Sequence, residues 1–359
     1  MKRKLLVLIP LVLLIAIIQQ VLPHAPKWVD WYSRFLFAPY QSVRNALFGL
    51  VPISMGDILY SILSVLIIYT LVRWVVYLIK FKTHKQRLGA SMLNTVIVLC
   101  VVYILFFIGW GGNYFKPSLA EHWQMDKSKW SYDTTLELYD RYLVSKLNDY
   151  AMHYQPLAFK EVKKRTQKYY DEHTDCKTKL HGLNIKPSLF NFAMQYMGIQ
   201  GYYNPLTGEA QVNRFLPKFM LPFVVSHELA HQSGIAAEDD ANLLAFVLGT
   251  KTEDTTFLYS AYFNIWLYTH YKMYIVDSAK ANSIKHDLNG LTLAHIDTLR
   301  DIRKRYKTDL SAYSSAAYDK YLKMLQQKEG LGSYKKATVT TWAWEQASDT
   351  LKQKLIAIP

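Results

Sequence analysis

The sequence predicts a mainly α membrane protein: three N-terminal transmembrane helices, then a mostly helical α+β ectodomain with a small β-hairpin. Three observations predict it. Residues 1–113 hold two acids, Asp30 and Asp57, against eleven basic residues, and they contain three long apolar stretches. Residues 114–359 hold 31 basic and 26 acidic residues, the balance of ordinary globular protein. Apolar positions in that second part recur mainly at spacings of three and four, the helical period, with one run of turn-forming residues between short extended segments. At 51% apolar, 14% aromatic and 19% charged residues, the chain has too much core-forming material to be disordered. Its two cysteines, Cys100 in an apolar run and Cys176, do not make a disulfide scaffold.

The division falls at residue 113. Residues 1–113 are the membrane anchor, with helices at about 5–22, 58–79 and 92–110. The second and third are long enough to cross a hydrocarbon layer of about 30 Å, which takes roughly 20 helical residues. The first follows Lys2-Arg3-Lys4 and contains Pro10. A signal peptide is its rival reading, but Gln19, Gln20 and Val21 make no small-residue cleavage site, so it reads as a retained anchor. Lys80, Lys82, Lys85 and Arg87 fill the link between the second and third helices. Basic flanks stay on the cytoplasmic side, so both clusters lie inside and residues 114–359 lie outside the cytoplasm. The net charge of +14 sits mostly in the anchor, where it sets topology. The ectodomain has no dense basic run, so a lipid bilayer is the expected partner and nucleic acid is not.

The link over residues 23–55 carries Trp28, Trp31, Tyr32, Phe35, Phe37, Tyr40 and Phe48. That composition suits an amphipathic segment at headgroup depth, and equally a loop packed on the ectodomain. In the ectodomain, helices are expected over Asp133–Tyr150 and roughly 156–175. Residues 199–214 read as strand, turn, strand around Asn204-Pro205-Leu206-Thr207-Gly208. Phe257–Val276 is apolar and long, but Asn264, His270 and Lys272 interrupt it and make it a core helix rather than a fourth span. Further helices follow around Leu291–Tyr306 and Tyr313–Gln327.

The chemistry is concentrated in His227-Glu228-Leu229-Ala230-His231. On a helix, residues four apart share a face, so His227 and His231 can turn ring nitrogens toward one metal ion. Neutral imidazoles suit zinc, and Glu228 is placed to take a proton from a water rather than to bind the metal. Pro222 can open this helix and Gly234 can close it in a left-handed cap. A catalytic zinc site takes a third protein ligand. Ala237 stands where a metzincin would have its third histidine. Glu238 opens the next helical run and shares a face with Asn242, which can hydrogen-bond a ligand imidazole from outside the metal's own shell. Glu238 is therefore the preferred third ligand, with Asp239 and Asp240 as rivals that also suit a helix N-terminus.

A Glu238-x-x-Ala241-Asn242 helix following H-E-x-x-H resembles the gluzincin metallopeptidases. More closely, the chain is similar to the bacterial membrane family called domain of unknown function 3810. Trp110-Gly111-Gly112-Asn113-Tyr114, the run from Gly201 to Asn213, His227 through Asn242 and Ser333-Tyr334 carry that likeness. The resemblance implies a zincin-like ectodomain on the outer face of a bacterial cytoplasmic membrane. It also implies a Zn2+ cofactor and a peptide or protein substrate.

The function expected is a membrane-anchored zinc metallopeptidase. His227, His231 and Glu238 would hold the metal, Glu228 would act as base and acid, and Asn242 would support a ligand. Glu209–Asn213 is the candidate strand for pairing with an extended substrate, or a hairpin that only closes the fold. Tyr203 and Tyr334 are unassigned candidates for stabilising an oxyanion, while His270 and His295 read as structural or exposed. The rival function, of another class, is a non-catalytic receptor or scaffold with a structural or vestigial zinc site. The two differ at the fourth coordination position, which is open in an enzyme and closed by protein in a structural site.

Overall fold

The computed structural model describes residues 2–132, 134–176, 182–324 and 334–358. Asp133, Ser333 and the last three residues of the helix expected to end at Gln327 lie outside them, as do the side chains of Cys176 and Tyr334. The chain begins with helix α1 (Lys2–Val21), then α2 (Pro26–Tyr32), a π-helical turn (Ser33–Phe37) and α3 (Ala38–Gly49). Helices α4 (Met55–Ile79) and α5 (Phe81–Gly109) follow, and a 3-10 turn (Gly111–Phe115) leads into α6 (Leu119–His122). Next come α7 (Thr135–Ala151), α8 (Phe159–His173), β1 (Thr174–Cys176), β2 (Ile185–Pro187) and α9 (Asn191–Met197). Strands β3 (Gly201–Asn204) and β4 (Glu209–Val212) precede α10 (Leu221–Gln232), α11 (Glu238–Thr250) and α12 (Thr255–Val276). The chain closes with α13 (Ser278–His286), α14 (Gly290–Arg305), α15 (Asp309–Met324), α16 (Tyr334–Glu345), α17 (Asp349–Gln353) and β5 (Ile356–Ile358).

Three helices are long and apolar enough to cross a membrane: Arg3–His24, Met55–Ile79 and Phe81–Gly109. The third starts at Phe81 rather than Met92, because the basic link continues as helix. Lys4 Nζ donates to Ala90 O at 3.3 Å and Gln19 meets Tyr103, so α1 and α5 run parallel. Trp74 Nε1 donates to Ser91 Oγ at 3.0 Å across the turn between α4 and α5, which run antiparallel. Lys2–Lys4 and the 80–87 link therefore share one end of the bundle, and Met55 and Gly109 share the other.

At that second end the link over residues 23–55 uses both of its faces. Val29, Tyr32, Phe37 and Arg44 are buried, whereas Trp28, Trp31, Phe35, Leu47 and Leu50 are exposed. Arg44 is the hub. Its Nη1 donates to Pro205 O at 2.6 Å and its Nη2 to Gln41 Oε1 at 2.6 Å and Gly109 O at 3.0 Å. A guanidinium only 2% exposed is thus held by carbonyl oxygens from the last residue of α5 and from the β3–β4 turn.

A three-stranded sheet in the order β2-β4-β3 lies beside this end. β2 runs parallel to β4, with Ile185 opposite Ala210, and β3 runs antiparallel to it, with Tyr203 opposite Ala210. Sequence alternation found the hairpin but not β2, a three-residue strand too short to show a period. β1 and β5 pair in parallel far apart in the chain. The main core packs α10, α11 and α12 against α7 and the sheet, with Trp266, Tyr259, Phe246 and Phe263 fully buried. The Phe257–Val276 segment is accordingly a core helix: its first half is buried and only its last turn, with Tyr271, Tyr274 and Ile275, is exposed.

Candidate metal centre

Helix α10 is buried along almost its whole length, with Val225 and Leu229 in the core. Pro222 lies in the first turn, where its missing amide hydrogen leaves no hydrogen bond unmade. Tyr170 O–H donates to Ser226 O at 3.0 Å and Ser260 Oγ accepts from Phe223 N at 3.1 Å, which fix the helix from two sides. At its end, Ile235 N–H donates to Ala230 O and Gly234 N–H to His231 O, the paired bonds of a Schellman cap. Gly234 has φ +93, and a Cβ there would meet the Phe37 ring at 2.7 Å, so both conformation and space require glycine.

This cap also aims a metal-binding ring. His231 Nδ1 lies 2.7 Å from Ile235 O. A carbonyl can only accept, so Nδ1 carries the hydrogen and Nε2 is left to face the other way, toward Glu238. The chain turns through Ala236 and Ala237 and starts α11 at Glu238, directly opposite α10. His227 Nε2 is 3.3 Å from Glu238 Oε2 and His231 Nε2 is 3.4 Å from Glu238 Oε1. The two rings stand at 89° with centroids 4.7 Å apart. One donor atom from each residue lies within 4.8 Å of the others, and among the described residues this is the one group of three so arranged.

The electrostatics fit a cation. Burial disfavours charge on His231, but the carboxylates of Glu238 and Glu228 and the Ile235 carbonyl outweigh it and hold the imidazolium up to about 9. Burial alone would raise Glu238, yet His231 and His227 pull its carboxyl well below the ordinary range. The carboxylate thus calls for positive charge between itself and two rings. Two imidazole nitrogens and one carboxylate oxygen are a donor set that zinc takes. His227 Nδ1 and Asn242 Nδ2 are both buried without a hydrogen-bond partner, and the Asn242 side chain lies close enough to His227 to favour a proton on its ring. An asparagine oxygen accepting from the ring nitrogen that does not face the metal is the arrangement that orients a ligating histidine.

A family model described as "Protein of unknown function (DUF3810)" matches residues 32–340. The chain belongs to that family. No curated protein and no solved structure matches it. The matched stretch of this DUF3810 chain runs from Tyr32, at the end of the bundle that meets the sheet, through both α4 and α5 and the whole of the three-residue cluster.

Glu228 stands beside the cluster with Oε2 buried and unpartnered, and burial pushes its carboxyl up to about 8. Gly201 of β3 lies against it: a Cβ at 201 would fall 2.5 Å from Glu228 Oε1. The rival acids are placed elsewhere. Asp240 Oδ1 accepts from Leu119 N at 2.9 Å, tying α11 to α6, and burial together with Asp239 pushes its carboxyl up to about 8. Asp239 sits in the first turn of α11, where Lys336 offsets part of its burial.

A cleft of about 440 Å³ opens over His227, Glu228, His231 and Glu238. Trp110 and Tyr114 form one wall, Met197–Tyr203 another, and Tyr268, Ser314 and Ser315 complete it. Two sequence expectations are corrected here. Glu209–Asn213 cannot pair with a substrate, because β4 has β2 on one side and β3 on the other; β3 is an edge strand of that sheet, and it lines the cleft. Tyr203 does not offer its hydroxyl to the cluster: that group donates to Gln41 Oε1 at 2.7 Å and accepts from Arg44 Nη2 at 3.2 Å. His270 pairs with buried Asp140 at 2.9 Å and His295 with Tyr259 at 2.8 Å, both in structural surroundings. Sequence reasoning missed Trp110 and Tyr268 as cleft residues, since neither lies near the motif in the chain.

Proposed function

We propose that this chain is a zinc-dependent metallopeptidase anchored by its N-terminal helices, with residues 114–359 outside the cytoplasm of a bacterial cell. The observation that carries the reading is the convergence of His227 Nε2, His231 Nε2 and the Glu238 carboxylate beside an open cleft. Bound there, zinc supplies a Lewis acid that acidifies a water and polarises a carbonyl. The rest is work for the chain's own residues.

Glu228 Oε2 is buried at the cleft without a partner, so it can receive a proton from a water and return it to the leaving amine. Burial raises that carboxyl's affinity for a proton. The unpaired edge of β3, at the cleft-lining residues Gly201–Tyr203, can hold an extended peptide by backbone hydrogen bonds. Tyr268 lines the cleft and burial, with Glu238 nearby, keeps its hydroxyl protonated, so it remains a donor. Access to the cluster from this cleft favours an enzyme over a scaffold, whose zinc would be closed off by a fourth protein ligand.

Metal content by elemental mass spectrometry tests the first half: about one zinc per chain is expected, lost in His227→Ala. Glu228→Gln should then keep its zinc and lose hydrolysis of a mixed peptide library. A zinc-replete Glu228→Gln protein with undiminished turnover would sink the mechanism, and a wild-type chain that takes up no zinc would sink the site.

A further inference from the structure

Resting on the peptidase reading, we propose that the substrates are polypeptides anchored in the same membrane, cut in the extracytoplasmic stretch next to the bilayer. The cleft's place relative to the spans carries this. Trp110 directly follows Gly109, the last residue of α5, and its indole is both a cleft wall and an edge contact of His231, with centroids 6.2 Å apart. The candidate centre therefore stands within one side chain's length of the outer end of a span.

The other wall is tied to a second span. Met55 N and Gly56 N, at the start of α4, donate to the Glu209 carboxylate in β4 at 3.3 and 2.6 Å. Leu189 N donates to Asp57 Oδ2 at 2.6 Å, and Tyr202 of the cleft-lining strand bonds the same carboxyl group. β3 thus hangs from α4 as Trp110 hangs from α5. A cleft fastened at two span ends cannot rise from the bilayer on a flexible stalk.

Exposed apolar side chains mark the level at which the membrane surface runs. Trp28, Trp31 and Phe35 project from the link, and Leu189 and Phe192 are 53% and 65% exposed beside the outer end of α4. Aromatic and aliphatic side chains of this kind sit at headgroup depth. Phe192 lies in the first turn of α9, whose last residue, Met197, lines the cleft. The unpaired edge of β3 lies beyond it. An anchored chain leaving the bilayer as an extended strand, at about 3.3 Å per residue, needs only a short stretch next to the membrane to reach this edge. Confinement to the same bilayer raises its local concentration near the cleft, which a dissolved protein does not match.

The test uses the full chain, zinc-loaded and reconstituted in lipid nanodiscs. Peptides randomised at the central positions are offered in three forms: soluble, and fused to an inserted apolar helix through spacers of about 5 or about 30 residues. Hydrolysis at least tenfold faster for the short-tethered form than for either other form is expected; equal rates for soluble and tethered peptides would overturn the proposal. The same three scaffolds ending in a hydroxamate, read by displacement of a fluorescent hydroxamate, separate the two readings. If nothing is hydrolysed, the peptidase reading fails. The location still stands or falls by whether the short-tethered hydroxamate competes at least tenfold better. A fluorophore on Phe192→Cys, in a background lacking Cys100 and Cys176, should be quenched by headgroup-labelled nitroxide lipid; no quenching there would overturn the placement without reference to zinc.

Discussion

The indole of Trp110 stands edge-on to the imidazole of His231, at 80° and 6.2 Å between ring centroids. It also lies 4.3 Å from the Tyr203 ring and 5.9 Å from Phe37. One buried side chain at the end of an apolar span therefore touches a candidate ligand, the cleft strand and the link that wraps the bundle. Trp110→Ala would leave a cavity at the meeting point of all three, at a cost of about 3–5 kcal/mol. Thermal unfolding in nanodiscs should fall accordingly, and zinc affinity should fall with it because His231 loses its support. Trp110→Phe should recover most of both. Unchanged zinc affinity in Trp110→Ala would show that the indole only fills space.

Gly201 gives a sharper separation of metal binding from catalysis. Its hydrogen faces Glu228, and a Cβ would sit 2.5 to 2.7 Å from three atoms of that carboxylate side chain. The Glu228 side chain must therefore swing aside in Gly201→Ala, while His227, His231 and Glu238 are not among the residues that a Cβ at 201 would meet and stay. A displacement of about 1 Å at a reacting group costs roughly 100-fold in rate. The expected result is a fall in kcat of that order with zinc content unchanged; equal losses of metal and activity would place the damage at the ligands instead.

The candidate site was legible where it was local. His227, Glu228, His231, Glu238 and Asn242 lie within two adjacent helices, and the spacing of four and the glycine stop that bring them together are properties of the helix itself. The three apolar helices were legible for the same reason, since twenty consecutive apolar residues need no partner to be recognised. What escaped was non-local. Trp110 and Tyr268 reach the cleft from elements far away in the chain, and β2 joins the sheet through a parallel pairing that leaves no periodic trace in three residues. The mistaken choice of Glu209–Asn213 as substrate strand has the same origin. Alternation marks a strand but not which of its edges is covered, and β2 covers that one.

Lys186 and Glu209 form a buried ion pair at 2.5 Å, with side chains 3% and 5% exposed. Lys186 Nζ also donates to Phe48 O at 2.6 Å and Ile53 O at 3.2 Å, and Glu209 takes the first amides of α4. The pair joins the link, the span and the sheet. Removing one partner leaves the other charged and buried, so Glu209→Gln or Lys186→Met alone should cost about 3–5 kcal/mol. The double variant should cost clearly less than the sum of the two, with a coupling of roughly 2 kcal/mol or more in the unfolding cycle. Additive losses would mean that the two residues act through separate contacts.

His295 supplies a pH dependence with a definite sign. Its ring stacks on Phe219 at 4.0 Å, and its Nδ1 lies 2.8 Å from the Tyr259 hydroxyl. Burial lowers its pKa from 6.5 to about 4. The unfolded chain then binds a proton below about pH 6.5 that the folded chain refuses until about pH 4, so the unfolded state gains between those values. Stability from this group is fully present above pH 6.5 and drains away as pH falls toward 4, then levels off. A fully buried group would account for somewhat over 3 kcal/mol; solvent reaching the ring reduces this to roughly 2 kcal/mol. His295→Phe keeps the stack on Phe219, and Tyr259 retains Thr292 as a partner at 3.2 Å, so the fold should hold. Between pH 7.5 and 4.5 the wild type should lose about 2 kcal/mol more than His295→Phe in unfolding measurements on nanodisc-bound protein. Parallel losses in the two proteins would assign the acid sensitivity to other groups and leave His295 a packing residue.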